Sequence, residues 1–296
     1  MDDFESYRPL LFSIAYRMIG SANEAEDIVQ ETYLRYRAAS QNDIHSLKSY
    51  LSTIVTRLCL DYLKSARVER EQYVGVWLPE PVLTTDVQLL PGESLEQRES
   101  ISLAFLVLLE TLTPPERAVF LLHQVFDYPF EEIAQIIGKS TANCRQLFHR
   151  AKQHVAEHRP RFTPSPTAQR QLITRFLAAS QSGDLPALTE MLAQDVTSWS
   201  DGGGKVSAAL RPIFGREAVA RLCTGVARKI TQRQVSISVT VEEVNGNLAL
   251  LIWEKEKLTL VLTFENADEQ HIQEMHTVLN PDKLAYIERQ LAGSLE

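Results

Sequence analysis

The chain has 296 residues, 44% of them hydrophobic, enough for two or three domains with buried cores. Its 30 Lys and Arg against 38 Asp and Glu give a net charge of −8, which argues against a wholesale nucleic-acid coat and directs attention to local basic runs. Three widely spaced cysteines, Cys59, Cys144 and Cys223, offer neither a disulfide framework nor metal-ligand spacing.

Each cysteine lies in a helical apolar pattern and reads as a small buried hydrophobe, so no metal or cofactor is expected. The acidic start Met-Asp-Asp-Phe-Glu lacks the basic and apolar regions of a signal peptide, and no apolar run approaches a membrane span. A cytoplasmic protein without membrane contact is expected.

Leu10, Leu11, Ile14, Ala15 and Met18 repeat at helical spacing, and Gly20 ends that helix. Ser21-Ala-Asn-Glu24 forms a capping box for a second helix with Ala25, Ile28, Val29, Thr32, Tyr33 and Tyr36 inward. Asp27, Gln30 and Glu31, at i, i+3 and i+4, share its exposed face and make an acidic patch suited to a basic or polar partner helix. A third helix begins near Ser46 and is expected to turn Tyr50, Leu51, Ile54, Val55, Leu58 and Tyr62 inward. Thr53, Arg57, Asp61 and Lys64 fall along its other side and continue into Arg67 and Arg70, a mixed polar and basic face that fits single-stranded DNA.

The segment from Tyr7 to Thr32, with its Asp27-Ile-Val-Gln-Glu31 core, resembles region two of bacterial extracytoplasmic-function sigma factors. The resemblance implies that Asp27, Gln30 and Glu31 bind the clamp of core RNA polymerase. It also implies that the helix from Tyr50 to Lys64 melts and reads the −10 element, with Thr53, Arg57, Asp61, Lys64 and Arg67 on the strand.

Residues 71–97 contain Pro79, Pro81 and Pro91 with little periodicity and are expected to form an extended linker. Within it, Trp77, Leu78 and Pro79 belong to Trp-Leu-Pro-Glu-Pro81, which reads as a stiff docking peptide.

In the second helical block, residues 98–160, Thr113-Pro-Pro-Glu116 is a strong helix start. Residues 130 to 149 then spell a helix-turn-helix. Ala134 permits close approach, Gly138 supplies the turn, Ser140 caps the second helix, and Cys144 and Leu147 face Ile133, Ile136 and Ile137. Thr141, Asn143, Arg145, Gln146, His149 and Arg150 point outward on the helix that enters the major groove in such motifs. Between Lys139 and Arg161 stand six basic residues against Glu157 alone. Leu112-Thr113-Pro114, Glu132-Ile133-Ala134 and Arg150-Ala151-Lys152 resemble region four of the same sigma factors, which implies that this helix reads the −35 element.

The third part, residues 165–296, begins with helical stripes at Leu172, Ile173, Phe176 and Leu177 and at Leu185, Leu188, Met191 and Leu192, separated by Gly183-Asp184. Val235, Ile237, Val239 and Val241 alternate as a strand, and Asn245-Gly246 signals a hairpin. Leu258, Leu260, Leu262 and Phe264 form another run, with a strand expected from Ile272 to Val278. Helices followed by a curved antiparallel sheet resemble the SnoaL-like α+β cone.

Asp201-Gly202-Gly203-Gly204-Lys205 reads alone as a flexible hairpin without the spacing of a phosphate loop. Asn280-Pro281-Asp282-Lys-Leu284 opens a terminal helix. With Trp-Leu-Pro-Glu-Pro, these motifs resemble the subgroup of sigma factors that carries a fused SnoaL-like domain. The expected fold is therefore multidomain: two all-α helical sigma domains, 1–70 and 98–160, and a SnoaL-like cone. The expected partners are core RNA polymerase and promoter DNA, duplex at −35 and melted at −10. Trp77, Leu78, Pro79, Asp201 to Lys205 and Asn280 to Asp282 are expected to regulate in cis. An alternative keeps a small-molecule ligand in the cone, bound or transformed, with Asp195 or Asp201 as base and Trp199 as pocket wall.

Overall fold

The computed structural model describes residues 4–39, 44, 46–84, 100–158, 162, 165–232 and 236–293. Residues 85–97 of the linker, Val235, Pro160 and Pro164 lie outside the described residues, as does the side chain of Arg67. The chain divides into two compact units, Met1–Gln72 with Thr84–Arg159, and Tyr73–Leu83 with Pro160–Glu296.

The first unit is helical. Helix α1 (Arg8–Ile19) ends at Gly20, whose φ of 70° lets its N–H return to the Tyr16 carbonyl. Helix α2 (Ala22–Ala38) starts under Ser21, whose Oγ accepts from the Glu24 N–H at 3.3 Å. Helix α3 (Leu47–Glu71) packs on both.

The buried stripe of α3 is Leu51, Ser52, Val55, Thr56, Cys59, Leu63 and Ala66, whereas Tyr50, Ile54, Leu58 and Tyr62 are only half-buried. The expected inward face is thus rotated. Small side chains allow neighbouring helices to approach, and the larger Tyr50, Ile54, Leu58 and Tyr62 stand at the rim.

Helices α4 (Leu103–Glu110) and α5 (Pro114–Phe120) follow, with Thr113 and Glu116 forming a capping box. A π-helical turn, Leu121–Val125, leads to α6 (Phe130–Ile137) and α7 (Thr141–His158). Gly138 adopts φ 66° between them, and Ser140 Oγ accepts from the Asn143 N–H at 3.2 Å. Ile133, Ile136, Cys144 and Leu147 are buried. Each such aliphatic side chain contributes about 1.5–3 kcal/mol by leaving water, which makes the helix-turn-helix a rigid body.

The second unit places α8 (Pro166–Ser182), α9 (Leu185–Glu190) and α10 (Arg216–Gln232) with a six-stranded sheet. Its strands are β1 (Leu192–Asp201), β2 (Ile213–Phe214), β3 (Ile237–Val244), β4 (Asn247–Glu254), β5 (Lys257–Asn266) and β6 (Ile272–Val278). Their order is β2-β1-β6-β5-β4-β3, with β1 and β6 parallel and the other neighbours antiparallel. Breaks in register within β1, β4 and β5 curve the sheet.

Leu260, Leu262 and Phe264 join Leu172, Phe176 and Val219 in the core, with the Phe176 and Phe264 rings 5.1 Å apart. By strand alternation Val261 and Thr263 face the opposite side and are also buried. Helix α11 (Pro281–Gly293) lies against β5. Residues 73–83 belong to this unit as well. Leu83 bridges Val244, and Val82 exchanges hydrogen bonds with Asn245, its N–H donating to Oδ1 at 3.1 Å and its carbonyl accepting at 3.0 Å.

Three sequence expectations change here. The sheet is mixed instead of antiparallel, because β1 lies parallel beside β6; Leu192 opens β1 instead of closing a helix, and Asp201 is the buried last residue of β1 instead of part of a flexible hairpin.

Candidate nucleic-acid interface and the Asp201 node

On α2, Asp27 and Gln30 are exposed and Glu31 is half-buried, all along one face. Glu31 accepts from Arg35 Nε at 2.8 Å one turn away. Such an exposed pair contributes at most about 1 kcal/mol, so Glu31 can exchange it for an external cation.

On α3, Thr53 Oγ1 donates to the Ser49 carbonyl at 2.7 Å, and Asp61 pairs with Lys64 at 2.7 Å in solvent. Arg57 departs from the expected open groove. Its Nε donates to the Ile136 carbonyl at 2.9 Å and its Nη2 to the Gln135 carbonyl at 3.0 Å, at the C-terminus of α6. Those carbonyls lack helical partners and carry the negative end of the helix dipole, which a guanidinium fork satisfies. Beside it Ser49 Oγ donates to Glu132 Oε2 at 3.0 Å, and Ser52 Oγ and Tyr128 OH lie 2.6 Å apart. Thr53, Arg57, Asp61 and Lys64 therefore share one helix side, with Arg57 engaged by the second helical block.

On α7, Asn143, Arg145, Gln146, His149 and Arg150 are exposed and Thr141 is half-buried. Arg145 Nη2 lies 3.1 Å from Glu131 Oε1 and its guanidinium 5.7 Å from the Phe130 ring centre. Arg150 Nε lies 3.2 Å from Glu116 Oε1. The helix is braced by His123, stacked on Phe130 at 4.1 Å and edge-on to Phe148 at 4.6 Å. Sequence reasoning misses His123, because the π-helical turn that aims it has no simple periodicity.

In the second unit the expected regulatory motifs meet around Asp201. Its Oδ1 accepts from Tyr73 OH at 2.6 Å, and its Oδ2 accepts from the Leu78 N–H at 2.8 Å and from Lys283 Nζ at 2.7 Å. The Lys283 ammonium also donates to the Leu78 carbonyl and sits 4.2 Å from the Trp77 ring centre and 4.8 Å from that of Tyr73. Asn280 Nδ2 donates to Tyr73 OH at 2.9 Å, and Lys205 pairs with Asp282.

Burial, then the hydrogen bond to Asp201, push the Tyr73 phenol up, so it stays a donor at neutral pH. A Cβ on Gly202 would stand 2.5 Å from the Val206 carbonyl oxygen, and one on Gly203 2.3 Å from Asn280 Nδ2. The glycines therefore serve close approach. Pro79 is buried beside Leu78, and Pro281 is the first residue of α11. Nothing in the sequence marks Lys283, since a lysine on an amphipathic helix reads as solvated.

The residues named for the acid-base alternative are placed differently from one another. Asp195 is exposed, and Asp201 is spent on three donors. His276, stacked parallel to Trp199, is held neutral by burial, its pKa pushed down to about 4. His271 precedes β6 and binds Asp268.

Residues 4–68 match the Sigma-70 region 2 family and residues 102–155 the Sigma-70, region 4 family. The ECF RNA polymerase sigma factor SigJ of Mycobacterium tuberculosis is 38% identical over 230 residues, 77% of this chain and 73% of that protein. The probable ECF sigma factor SigI of the same species is 32% identical over 98% of this chain and 96% of its own. The chain belongs to the extracytoplasmic-function RNA polymerase sigma factors.

The crystal structure of Mycobacterium tuberculosis SigJ resembles this sigma factor with a TM-score of 0.75 at 31% identity, covering 96% of this chain and 98% of that one. The sigma factor is thus a transcription initiation factor, not an enzyme, built from two helical sigma domains and a C-terminal α+β domain. Its region 2 and region 4 domains are those that bind core RNA polymerase and promoter DNA. None of its described helices is long and apolar enough to cross a membrane.

Proposed function

We propose that this sigma factor directs core RNA polymerase, in the cytoplasm, to promoters read at two elements, with its activity set in cis by the C-terminal domain. Asp27, Gln30 and Glu31 hold the polymerase. Thr53, Arg57, Asp61, Lys64 and Arg67 take the opened −10 strand, where cations track the backbone. Thr141, Asn143, Arg145, Gln146, His149 and Arg150 grip the −35 duplex. A bidentate base contact discriminates by about 1–3 kcal/mol, so neither element suffices alone and the two modules act as tethered sites.

The observation that carries the cis-regulatory reading is the Asp201 node. One carboxylate binds both Tyr73 and Leu78, in the linker between the two DNA-reading blocks, and Lys283 of the terminal helix. The C-terminal domain thereby grips the segment whose freedom sets how far those blocks can separate.

In vitro transcription with core polymerase tests it, comparing the full chain, the 1–164 fragment and Lys283→Met. Truncation and Lys283→Met are expected to change promoter output in the same direction while −10 and −35 sequence preference stays fixed. Equal output from all three would remove the regulatory role. Truncation also strips the cover from Leu78 and Val82, both fully buried, so its effect is read beside that of the full-length variant.

A further inference from the structure

The second unit separates its charge by layer. Helices α8 and α10, which pack against each other, carry Arg170, Arg175, Arg216, Arg221, Arg228 and Lys229 against Glu217 alone. Strands β3 to β6 carry Glu242, Glu243, Glu254, Glu265 and Glu274 against Lys257 alone. In a chain of net charge −8, such a split presents one cationic layer to a polyanion and repels it from the other.

On α10 the helical period turns Val219, Ala220 and Cys223 onto the core of the unit. Arg221, Gly225, Arg228 and Lys229 fall on the opposite side, and the three cations are exposed. Arg221 lies 3.6 Å from Glu217, with side chains 63% and 77% exposed, a pairing weak enough to exchange for another anion. Among the described residues no carboxylate pairs with Arg228 or Lys229.

Gly225 is the informative member of this face. Glycine inside a helix is destabilising relative to alanine, and close packing is the usual compensation. Here a Cβ would meet nothing within 4 Å, so no other part of the chain needs the missing methyl group. It stands one turn from Arg221 and one turn from Lys229, and the notch it leaves opens helix backbone between cations. A partner that approaches to backbone contact there must be anionic.

Arg221 and Arg228 are seven residues apart, about 10.5 Å along the axis, close to three phosphate steps at about 3.4 Å each. A protein partner would instead need apolar anchors. Among the described residues, Val226 is the one large apolar side chain that α10 exposes.

We propose that the outer face of α10, centred on Gly225 with Arg221, Arg228 and Lys229, binds the phosphate backbone of duplex DNA beside the promoter elements. The inference rests on the reading that the chain works on promoter DNA. Phosphate contacts fix position without reading sequence, so this face adds affinity that is uniform over sequences and strongly salt-dependent. The C-terminal domain is then a third hold on DNA as well as a grip on the linker.

The test follows fluorescence anisotropy of a labelled 60-base-pair duplex of random sequence, titrated across a salt series with full-length protein, free and bound to core polymerase. Combining Arg221→Gln, Arg228→Gln and Lys229→Gln is expected to weaken binding at least tenfold at about 0.1 M salt and to lower the slope of log K against log salt by about 2–3. Gly225→Gln fills the notch with a better helix former. It is expected to raise the thermal midpoint of the unit by about 2–4 °C while weakening DNA binding about fivefold, a combination that a merely structural role does not produce. Both variants should keep wild-type affinity for core polymerase.

Unchanged affinity and slope in the triple variant, or Gly225→Gln binding DNA as tightly as wild type, overturns the contact and leaves the promoter reading intact. Loss of polymerase binding with DNA binding retained assigns the face to an acidic protein surface and overturns it equally. Wild-type protein that binds no duplex, free or with polymerase, overturns the promoter reading and this contact with it.

Discussion

Lys283 Nζ lies 2.7 Å from Asp201 Oδ2 with side chains 8% and 0% exposed, although 82 positions separate the two residues. Each is the other's charge compensation, and the remaining lone pairs of the carboxylate accept from Tyr73 and Leu78. An ion buried this completely is tolerable only while its partner stays.

Removing one member should therefore cost more than the pair contributes. Lys283→Met leaves a buried carboxylate and is expected to destabilise the second unit by about 3–5 kcal/mol. Adding Asp201→Asn should recover part of that loss, because the neutral amide no longer needs a cation. Urea unfolding of the two single variants and the double, followed by near-ultraviolet circular dichroism, checks the sign. A double variant as unstable as the sum of the singles would show that the pair is not coupled.

Arg145 gives the clearest expectation for duplex DNA. Its guanidinium is held by Phe130 and an exposed ion pair to Glu131, a contact of at most about 1 kcal/mol. Arg145→Ala should leave thermal stability within about 0.5 kcal/mol, as exposed surface changes do. It should also lower discrimination at one −35 position by about 1–3 kcal/mol. Glu131→Gln removes the competing carboxylate and should tighten binding. Both are read by titrating holoenzyme onto promoter variants at several salt concentrations. An Arg145→Ala profile identical to wild type at every base pair would exclude this residue from readout.

His276 makes the second unit acid-sensitive. Burial pushes its folded pKa down to about 4 from an unfolded value near 6.5. The unfolded chain therefore binds the proton first, so stability falls as pH drops below about 6.5 and levels off below about 4. Between pH 7 and pH 5 the loss should be about 2 kcal/mol. Glu274, whose pKa burial raises, works in the opposite direction at lower pH. His276→Phe should flatten the upper part of the profile in urea unfolding at pH 7 and pH 5. A slope unchanged by that substitution would place the acid sensitivity elsewhere.

Local features are legible in the chain itself. Gly20, Ser21, Thr113, Gly138 and Ser140 act on backbone groups within four residues of themselves, so their spacing alone specifies helix ends and the helix-turn-helix. The acidic face of α2 and the outward face of α7 follow from helical period alone. The strand β4, Leu248-Ala-Leu-Leu-Ile-Trp253, escapes such reasoning, because a run that is apolar on both faces shows no alternation.

What the sequence by itself determined was the helix ends that short-range caps specify and the chemistry of the exposed helix faces, since both depend on side chains near in the chain. Only the tertiary structure decided the partners of Arg57, Arg117 and Lys283. The two arginines bind backbone carbonyls, which every residue carries alike and no letter of the sequence marks. The third cation is buried because aromatic rings and a carboxylate arrive from distant segments, and a lysine's solvation is set by what folds over it.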